Sequence, residues 1–519
     1  MTAPRLAADV AAVRRAAGLL RGGEVVAFPT DTVYGLAALA DDPRACRRVY
    51  EIKRRPADMP LIAMAPDLAG LESLVEVTDA ARSLAVRWWP GPLTLVLRSR
   101  RDGDPTLGVR VPDHPVALAL LREVGRPLMT TSANLSGQPP TLTPEAAARL
   151  SGVAAVLDAG PSPGGRASTV LTLATLDPEV LRAGPISRQE LLLPLLAEHF
   201  LAFSREAGAG GSPLYEAIST GVAEQLPVLR LLLGAQPGQR RANLLLGAVH
   251  LLLAEGAGDR LREWYPDLGG TLPAGLAAAE AFGAFALRHA DRIEGVVATH
   301  RTQTNEVLRS ASLVLALAQL AGPVALIDAG CSAGLNLRLD RYRYDFGIGL
   351  LGPPDASLVL RSTLRGPGAE VPSGLPRVVW RAGLDAAPLD PADAETARWL
   401  LALVWPEHRD RRQRLASALR IAAAAPARLH QGDLLRDLPA VAVGAPRDAT
   451  LVVQHSAVTT YLAPADRYRF SELCRSLGAH EISLEGPPKG HWTHNLLALD
   501  GRLLARADPH NRFIDWLAG

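Results

Sequence analysis

The sequence predicts an α/β protein in two parts, with a mainly helical stretch opening the second. Three observations lead there. Up to about residue 190, short β-rich runs alternate with amphipathic helical patterns, the mark of a layered α/β domain with a mixed sheet. From "ISRQELLLPLLAEHFLAFSREAG" to about residue 320, long helical patterns dominate. Then "VALIDAG" reopens an α/β pattern that runs towards the C-terminus. A chain of 519 residues exceeds what one core usually organises. The change of texture near residues 187 to 197 therefore divides it into domains 1–190 and 197–519, with no internal repeat in either.

In the first part, "EVVAFPT", "LTLVLRS", "LGVRVP", "PLMTTSA", "AAVLDAG", "TVLTL" and "EVLRAG" read as strands, rich in β-branched residues. "DPRACRRVYEIKR", "TDAARSLAVRWW", "HPVALALLREVG" and "TPEAAARLSG" read as helices, several opened by Asp, Thr or Pro. The N-terminal "MTAPRLAADVAAVRRAAGLLRGG" reads as an amphipathic helix without the apolar core of a signal peptide. In the second part, "SASLVLALAQLAGPVALIDAG" reads as a buried helix followed by a core strand, since Gln319, Gly322 and Pro323 interrupt its apolar run.

A net charge of +2 excludes a global basic field, so any RNA contact needs a local patch. Cys46, Cys331 and Cys474 are odd in number, far apart and without metal-type spacing. They imply a reducing compartment, no zinc site and, with no membrane-spanning segment, a cytoplasmic protein.

Lysine is the informative residue. Of 55 basic Lys and Arg residues only Lys53 and Lys489 are lysine. Where the two are interchangeable this chain uses arginine, so "EIKRRPADMPL" keeps a compact ammonium beside guanidinium forks. Around it stand "FPTDTVYGLA" with Thr32, "TLGVRVPDHP" with Thr106 and Arg110 on one strand face, and "TTSANLSG" with Ser132, Asn134 and Ser136. "ASTVL" and "VLRAG" add Ser168, Thr169 and Arg182.

With these motifs, residues 12 to 190 resemble the threonylcarbamoyl-AMP synthase (YrdC-like) family, whose Lys-x-Arg and Ser-x-Asn signature falls on Lys53/Arg55 and Ser132/Asn134. The resemblance implies a YrdC-like mixed twisted sheet with helices. It implies that L-threonine, bicarbonate and ATP with Mg²⁺ give threonylcarbamoyl-AMP and pyrophosphate, feeding the tRNA-modification machinery. It places catalysis on Lys53, Arg55, Ser132 and Asn134. Threonine falls on Thr32, Arg110, Ser132 and Ser168, and ATP on Lys53, Arg55, Thr106, Asn134 and Arg182, with no protein metal site. Two positions depart from the common family pattern, Met59 for Asn and Met64 for His. A non-catalytic module binding double-stranded RNA or tRNA is the alternative. "GPSPGGR" outlines a phosphate loop but lacks its lysine and hydroxyl, and reads as a mobile loop or lid before Ser168.

In the second part, "VALIDAGCSAGLNLRLDRY" ends a strand at Asp328, turns through Gly330 and Gly334, and leads to an expected helix. With Asp385 and Asp433 at later strand ends this suggests a Rossmann-like, methyltransferase-type sheet that binds S-adenosylmethionine. The same letters spell a G-x-S-x-G elbow, with Ser332 as nucleophile and His455, His491, His494 or His510 as partners in a serine hydrolase. A turn that only packs strand on helix is the third reading. Residues 197–519, including "HRTQTNEVLRSASLVLAL", resemble a methyltransferase-like domain family of unknown function, which gives no substrate. Lys489 stands in a polar turn.

Overall fold

The structure, a computed structural model, describes residues 2–56, 59–101, 103–175, 177–487 and 494–517. Lys489 and His491 lie outside the described residues. The chain divides into two compact units. The first holds residues up to Phe203 together with Val222–Ala242 and Val297–Thr299; the second holds Ser204–Gly221, Asn243–Val296 and the chain from His300 onwards. Among the described residues, no helix is long and apolar enough to cross a membrane.

The first unit is built on β1 (Arg5–Ala7), β2 (Val26–Phe28), β3 (Gly35–Leu39), β4 (Ile62–Met64), β5 (Leu93–Arg98), β6 (Thr106–Arg110), β7 (Leu128–Ser132), β8 (Ala155–Asp158), β9 (Thr169–Thr172) and β10 (Glu179–Arg182). They form one mixed sheet in the order β1-β8-β2-β3-β7-β4-β6-β5-β9-β10. The seven strands read from sequence are present, as are the four helices, Pro43–Lys53, Asp79–Trp88, Pro115–Val124 and Pro144–Ala148. Each helix start follows from its residues. Asp42, for example, accepts from the Arg44 and Ala45 amides while Pro43 supplies the first helical position. The N-terminal run is corrected: Arg5–Ala7 is a strand beside β8, and the helix is Val10–Arg21.

Register decides which side chains share a face. Met64 lies opposite both Arg110 and Leu128, Ile62 opposite Gly108 and Thr130, Gly35 opposite Ser132, and Val170 opposite both Thr94 and Arg182. Alternation along each strand then puts Thr94, Thr106, Arg110, Ser132 and Arg182 on one face. At one end of that face Phe28, Leu39, Met64 and Leu128 are buried under the helices Val10–Arg21 and Pro115–Val124. The opposite face carries Leu36, Ala63, Leu95 and Val109 against the helices Pro43–Lys53 and Asp79–Trp88. A buried pair, Arg240 Nε to Asp177 Oδ1 at 3.0 Å, fixes the helical segment Val222–Ala242 to the loop after β9.

The second unit contains β11 (Val324–Ala329), β12 (Arg343–Asp345), β13 (Leu350–Leu351), β14 (Val359–Arg361), β15 (Thr363–Arg365), β16 (Val378–Asp385), β17 (Arg428–Gln431), β18 (Thr450–Ser456), β19 (His480–Glu485), β20 (Asn495–Leu499), β21 (Arg502–Ala507) and β22 (Phe513–Trp516). Its main sheet runs β15-β22-β21-β20-β19-β18-β11-β16-β17. The five strands β17, β16, β11, β18 and β19 are mutually parallel, and the order reverses beside β11, the switch point of a doubly wound sheet. β20 and β21 then continue antiparallel as a hairpin. The helix expected after Gly334 is only a six-residue 3₁₀ segment, Asn336–Arg341, because short strands rather than a long crossover helix follow the turn.

Candidate functional site

Three clusters of side chains gather in the first unit. In the first, Lys53 ends its helix with a buried side chain, and Arg54 takes the left-handed conformation behind it (φ 50°). The Lys53 ammonium donates to Ser132 O and Asn134 O, each at 2.5 Å, and to Asn134 Oδ1 at 3.2 Å. All three of its protons are thus turned onto the 132–134 turn. Burial, helped by Arg55, pulls its pKa down to about 8. Asn134 Nδ2 donates to Leu135 O and Gln138 O, so both ends of the amide are used. The Ser132 hydroxyl is half-buried on the common sheet face.

In the second cluster, Arg110 is 2% exposed and all its edges are engaged. Nε donates to Gly91 O at 3.0 Å, Nη1 to Thr32 Oγ1 at 2.9 Å and Nη2 to Asp31 Oδ1 at 2.6 Å. In the third, Arg182 donates to Ser168 O and, at 3.0 Å, to Ser168 Oγ, which also meets Thr94 Oγ1 at 2.8 Å. The clusters feel one another: Arg55 depresses the pKa of both Lys53 and Arg182, and Arg182 that of Arg110, in each case after burial. Lys53, Arg55, Arg182 and Arg110 thus form a chain of neighbouring cations, of which Arg110 is paired with Asp31.

Thr106 shares that face, and Arg55 holds the backbone oxygens of Met59 and Pro60. Of the two departures, Met59 is exposed and Met64 is buried in the apolar end of the face, where thioether suits the surroundings better than imidazole. Sequence reasoning missed Asp31 and Thr94 as members of the site. Asp31 stood in a quoted turn, but only the tertiary pair with Arg110 gives it a role. The Gly160–Arg166 loop lies against that same turn: a Cβ on Gly164 would come 2.3 Å from Asp31 O, and Tyr34 Oη donates to Gly160 O at 2.6 Å.

In the second unit the acidic strand ends serve the chain itself. Asp385 accepts the Ser332 and Ala387 amides, both at 2.8 Å, and Asp433 caps the helix Leu434–Ala442 through the Leu435 and Arg436 amides. Asp328 is buried in β11, and burial raises its pKa to about 7. Gly330 is needed by the chain, since a Cβ there would meet Val458 at 2.2 Å. Ser332 has φ 48°, as an elbow would, but its hydroxyl donates to Gln303 and accepts from Asn305 Nδ2 at 3.0 Å. The His455 ring is held on both sides, by Glu485 at 2.7 Å and Glu481 at 3.1 Å. Burial opposes its charge, yet the two carboxylates raise its pKa to about 9. His510 is placed beside Glu306. Among the described residues the hydroxyl of Ser332 thus has amide partners, and the hydrolase triad does not assemble on His455 or His510. Nor do the described residues hold any group of three or more His, Cys, Asp or Glu side chains that could bind a metal ion.

Both parts of the chain match known families. Residues 18–184 match the Sua5/YciO/YrdC family, described as telomere recombination, and residues 197–516 match the family DUF2332, described as uncharacterized proteins conserved in bacteria. Through its second part the chain belongs to DUF2332, and its N-terminal region is a threonylcarbamoyl-AMP synthase-family domain. That domain is 45% identical over 190 residues to the threonylcarbamoyl-AMP synthase of Bacillus subtilis, covering 34% of this chain and 55% of that protein. The Pyrococcus abyssi synthase is 43% identical over 34% of this chain and 56% of its own length. The Escherichia coli synthase is 39% identical over 25% of this chain and 75% of its own length. The chain therefore spans about half the length of the first two relatives it matches. The solved structure of Pyrococcus abyssi Sua5 with L-threonine is 21% identical over 83% of this chain and 99% of that one, with a TM-score of 0.34.

Proposed function

We propose that domain 1–190 is an L-threonylcarbamoyladenylate synthase. The observation that carries it is the sharing of one sheet face by Arg110, Ser132, Thr106 and Arg182, with Lys53 locking the 132–134 turn beside it. Threonine adds to bicarbonate through its amine, with loss of water, to give a carbamate. A carbamate oxygen forms a bond to the α-phosphorus of ATP, and the bond to the bridging oxygen breaks, so pyrophosphate leaves with that electron pair. Such a transfer needs positioning and charge neutralisation more than covalent help. Arg55 and Arg182 meet the phosphates, and a Mg²⁺ ion bound to the triphosphate would neutralise further phosphate charge. Thr106 and Asn134 orient the nucleotide. Arg110 takes the threonine carboxylate on the edge that Asp31 and Thr32 now occupy, while Ser132 and Ser168 border the same pocket. Lys53 sets the 132–134 turn and keeps a fixed positive charge behind it. The product then passes to tRNA-modifying partners in the cytoplasm.

The test is pyrophosphate release by the full chain, dependent on threonine, bicarbonate and ATP and lost in Lys53→Ala. A salt-sensitive shift of double-stranded RNA with no pyrophosphate release would replace the enzyme reading by the RNA-binding one.

For domain 197–519 the strand-order reversal beside β11 favours a small-molecule site, and S-adenosylmethionine is the reading it first suggests. The residues present do not single out that ligand. Asp385 and Asp433 are spent on backbone amides, Asp328 is buried within the sheet, and Gly330 makes room for Val458. No methyl-transfer step is derived. Calorimetry of the full chain with S-adenosylmethionine decides: measurable binding heat would restore the methyltransferase reading.

A further inference from the structure

Beside the Gly334 turn lies a cavity of about 340 Å³, bordered by Gly334, Arg338, Leu389, Asp390, Ala427 and Leu429. Its walls are largely apolar, and into this lining the chain puts an arginine. Arg338 is 2% exposed. Its Nη2 donates to Ala425 O, and its buried Nε–H has no acceptor. No carboxylate among the described residues forms an ion pair with it. The nearby acid, Asp340, gives both oxygens to Arg381 at 2.9 Å each. Burial, with Arg381 and Arg341 close by, lowers the Arg338 pKa to about 10. A guanidinium taken out of water without a counter-ion is costly, and a ligand that supplies the missing charge offsets that cost.

We propose that this cavity binds a small monocarboxylate with an apolar body, its carboxylate on the Arg338 guanidinium and its body against Leu389, Ala427 and Leu429. One uncompensated guanidinium balances one negative charge. A phosphate would bring nearly two, and Asp390 on the cavity lining would repel the second. The cavity borders the Gly334 turn on which the S-adenosylmethionine reading was placed, but the proposal does not rest on that reading.

The experiment is thermal unfolding of the full chain at constant ionic strength with sodium benzoate, with benzamide as its neutral counterpart, and with inorganic phosphate. The expected result is a saturable rise of about 2–4 °C in the second unit's transition with benzoate alone. Arg338→Met should lose that response and unfold no earlier than the parent, since it removes a buried unpaired charge. If Arg338→Met does not fold, Ala427→Leu, which fills the cavity without touching the guanidinium, should abolish the response instead. Equal effects of benzoate and benzamide, no effect of either, or an undiminished benzoate response in the variant that folds would overturn the proposal. A response to phosphate in place of benzoate would overturn the carboxylate assignment.

Discussion

Asp31 occupies the face of Arg110 that an amino-acid carboxylate would need: Oδ1 lies 2.6 Å from Nη2, while Oδ2 is buried without a partner. The pair holds the Thr-Asp-Thr turn on the sheet and at the same time occupies the proposed threonine site. Removing the acid alone strands a buried cation, which costs about 3 kcal/mol. Asp31→Ala should therefore show a lower midpoint in urea. Added threonine should then stabilise Asp31→Ala more than it stabilises the parent, because the ligand's carboxylate replaces the lost one. Equal stabilisation of both proteins would remove Arg110 from threonine recognition.

Lys53 gives a second expectation. Burial favours its neutral form, so its folded pKa, about 8, lies below its unfolded value near 10.5. The unfolded chain then binds more protons between those values, and this group's contribution to stability rises with pH across that window. Activity should move the other way, falling above about pH 8 as the fixed positive charge is lost. Lys53→Arg should not restore it, because a planar fork cannot aim three protons at Ser132 O, Asn134 O and Asn134 Oδ1. A pH–rate profile of parent and variant checks both statements; full activity in Lys53→Arg would show that any cation suffices.

Much of this was legible in the sequence, and what was not has physical reasons. Runs such as "LTLVLRS" and capped helices such as "DPRACRRVYEIKR" declare themselves through local preference and register. Gly35–Leu39 did not, because "GLAAL" is alanine-rich and its strand form comes from neighbours on both sides, β2 and β7. The scarcity of lysine pointed to Lys53, yet not to the way its protons turn inward onto backbone oxygens. Asp328, Gly330 and Asp385 form a ligand-type pattern in the sequence, whereas the fold uses Gly330 for close packing and Asp385 to accept the Ser332 and Ala387 amides. Arg338, inside the charged run "NLRLDRYRYD", reads as a solvated position until the tertiary structure buries it.

Gly330 tests the packing account of that turn. It has φ 79°, and a Cβ would meet Val458 Cγ2 at 2.2 Å. Gly330→Ala should therefore lose about 1 kcal/mol to the left-handed backbone and about 1–3 kcal/mol to the clash. Adding Val458→Ala should recover the second part and leave the first, a coupling that a double-mutant cycle in urea measures directly. No coupling would mean that Val458 is not what the glycine accommodates.

Asp328 carries the last expectation. Burial lifts its carboxyl to about 7, far above the unfolded value near 3.9. The folded chain therefore holds a proton that the unfolded chain releases, so stability falls as pH rises from about 4 to about 7 and levels off above. The Gln454 side chain, from the neighbouring position on β18, works the other way and lowers that pKa, but burial outweighs it. Asp328→Asn is uncharged at every pH. It should raise the unfolding temperature of the second unit at pH 8, do little at pH 4.5, and flatten the slope between. A variant no more stable than the parent at pH 8 would mean that Asp328 is ionised and compensated in the folded protein.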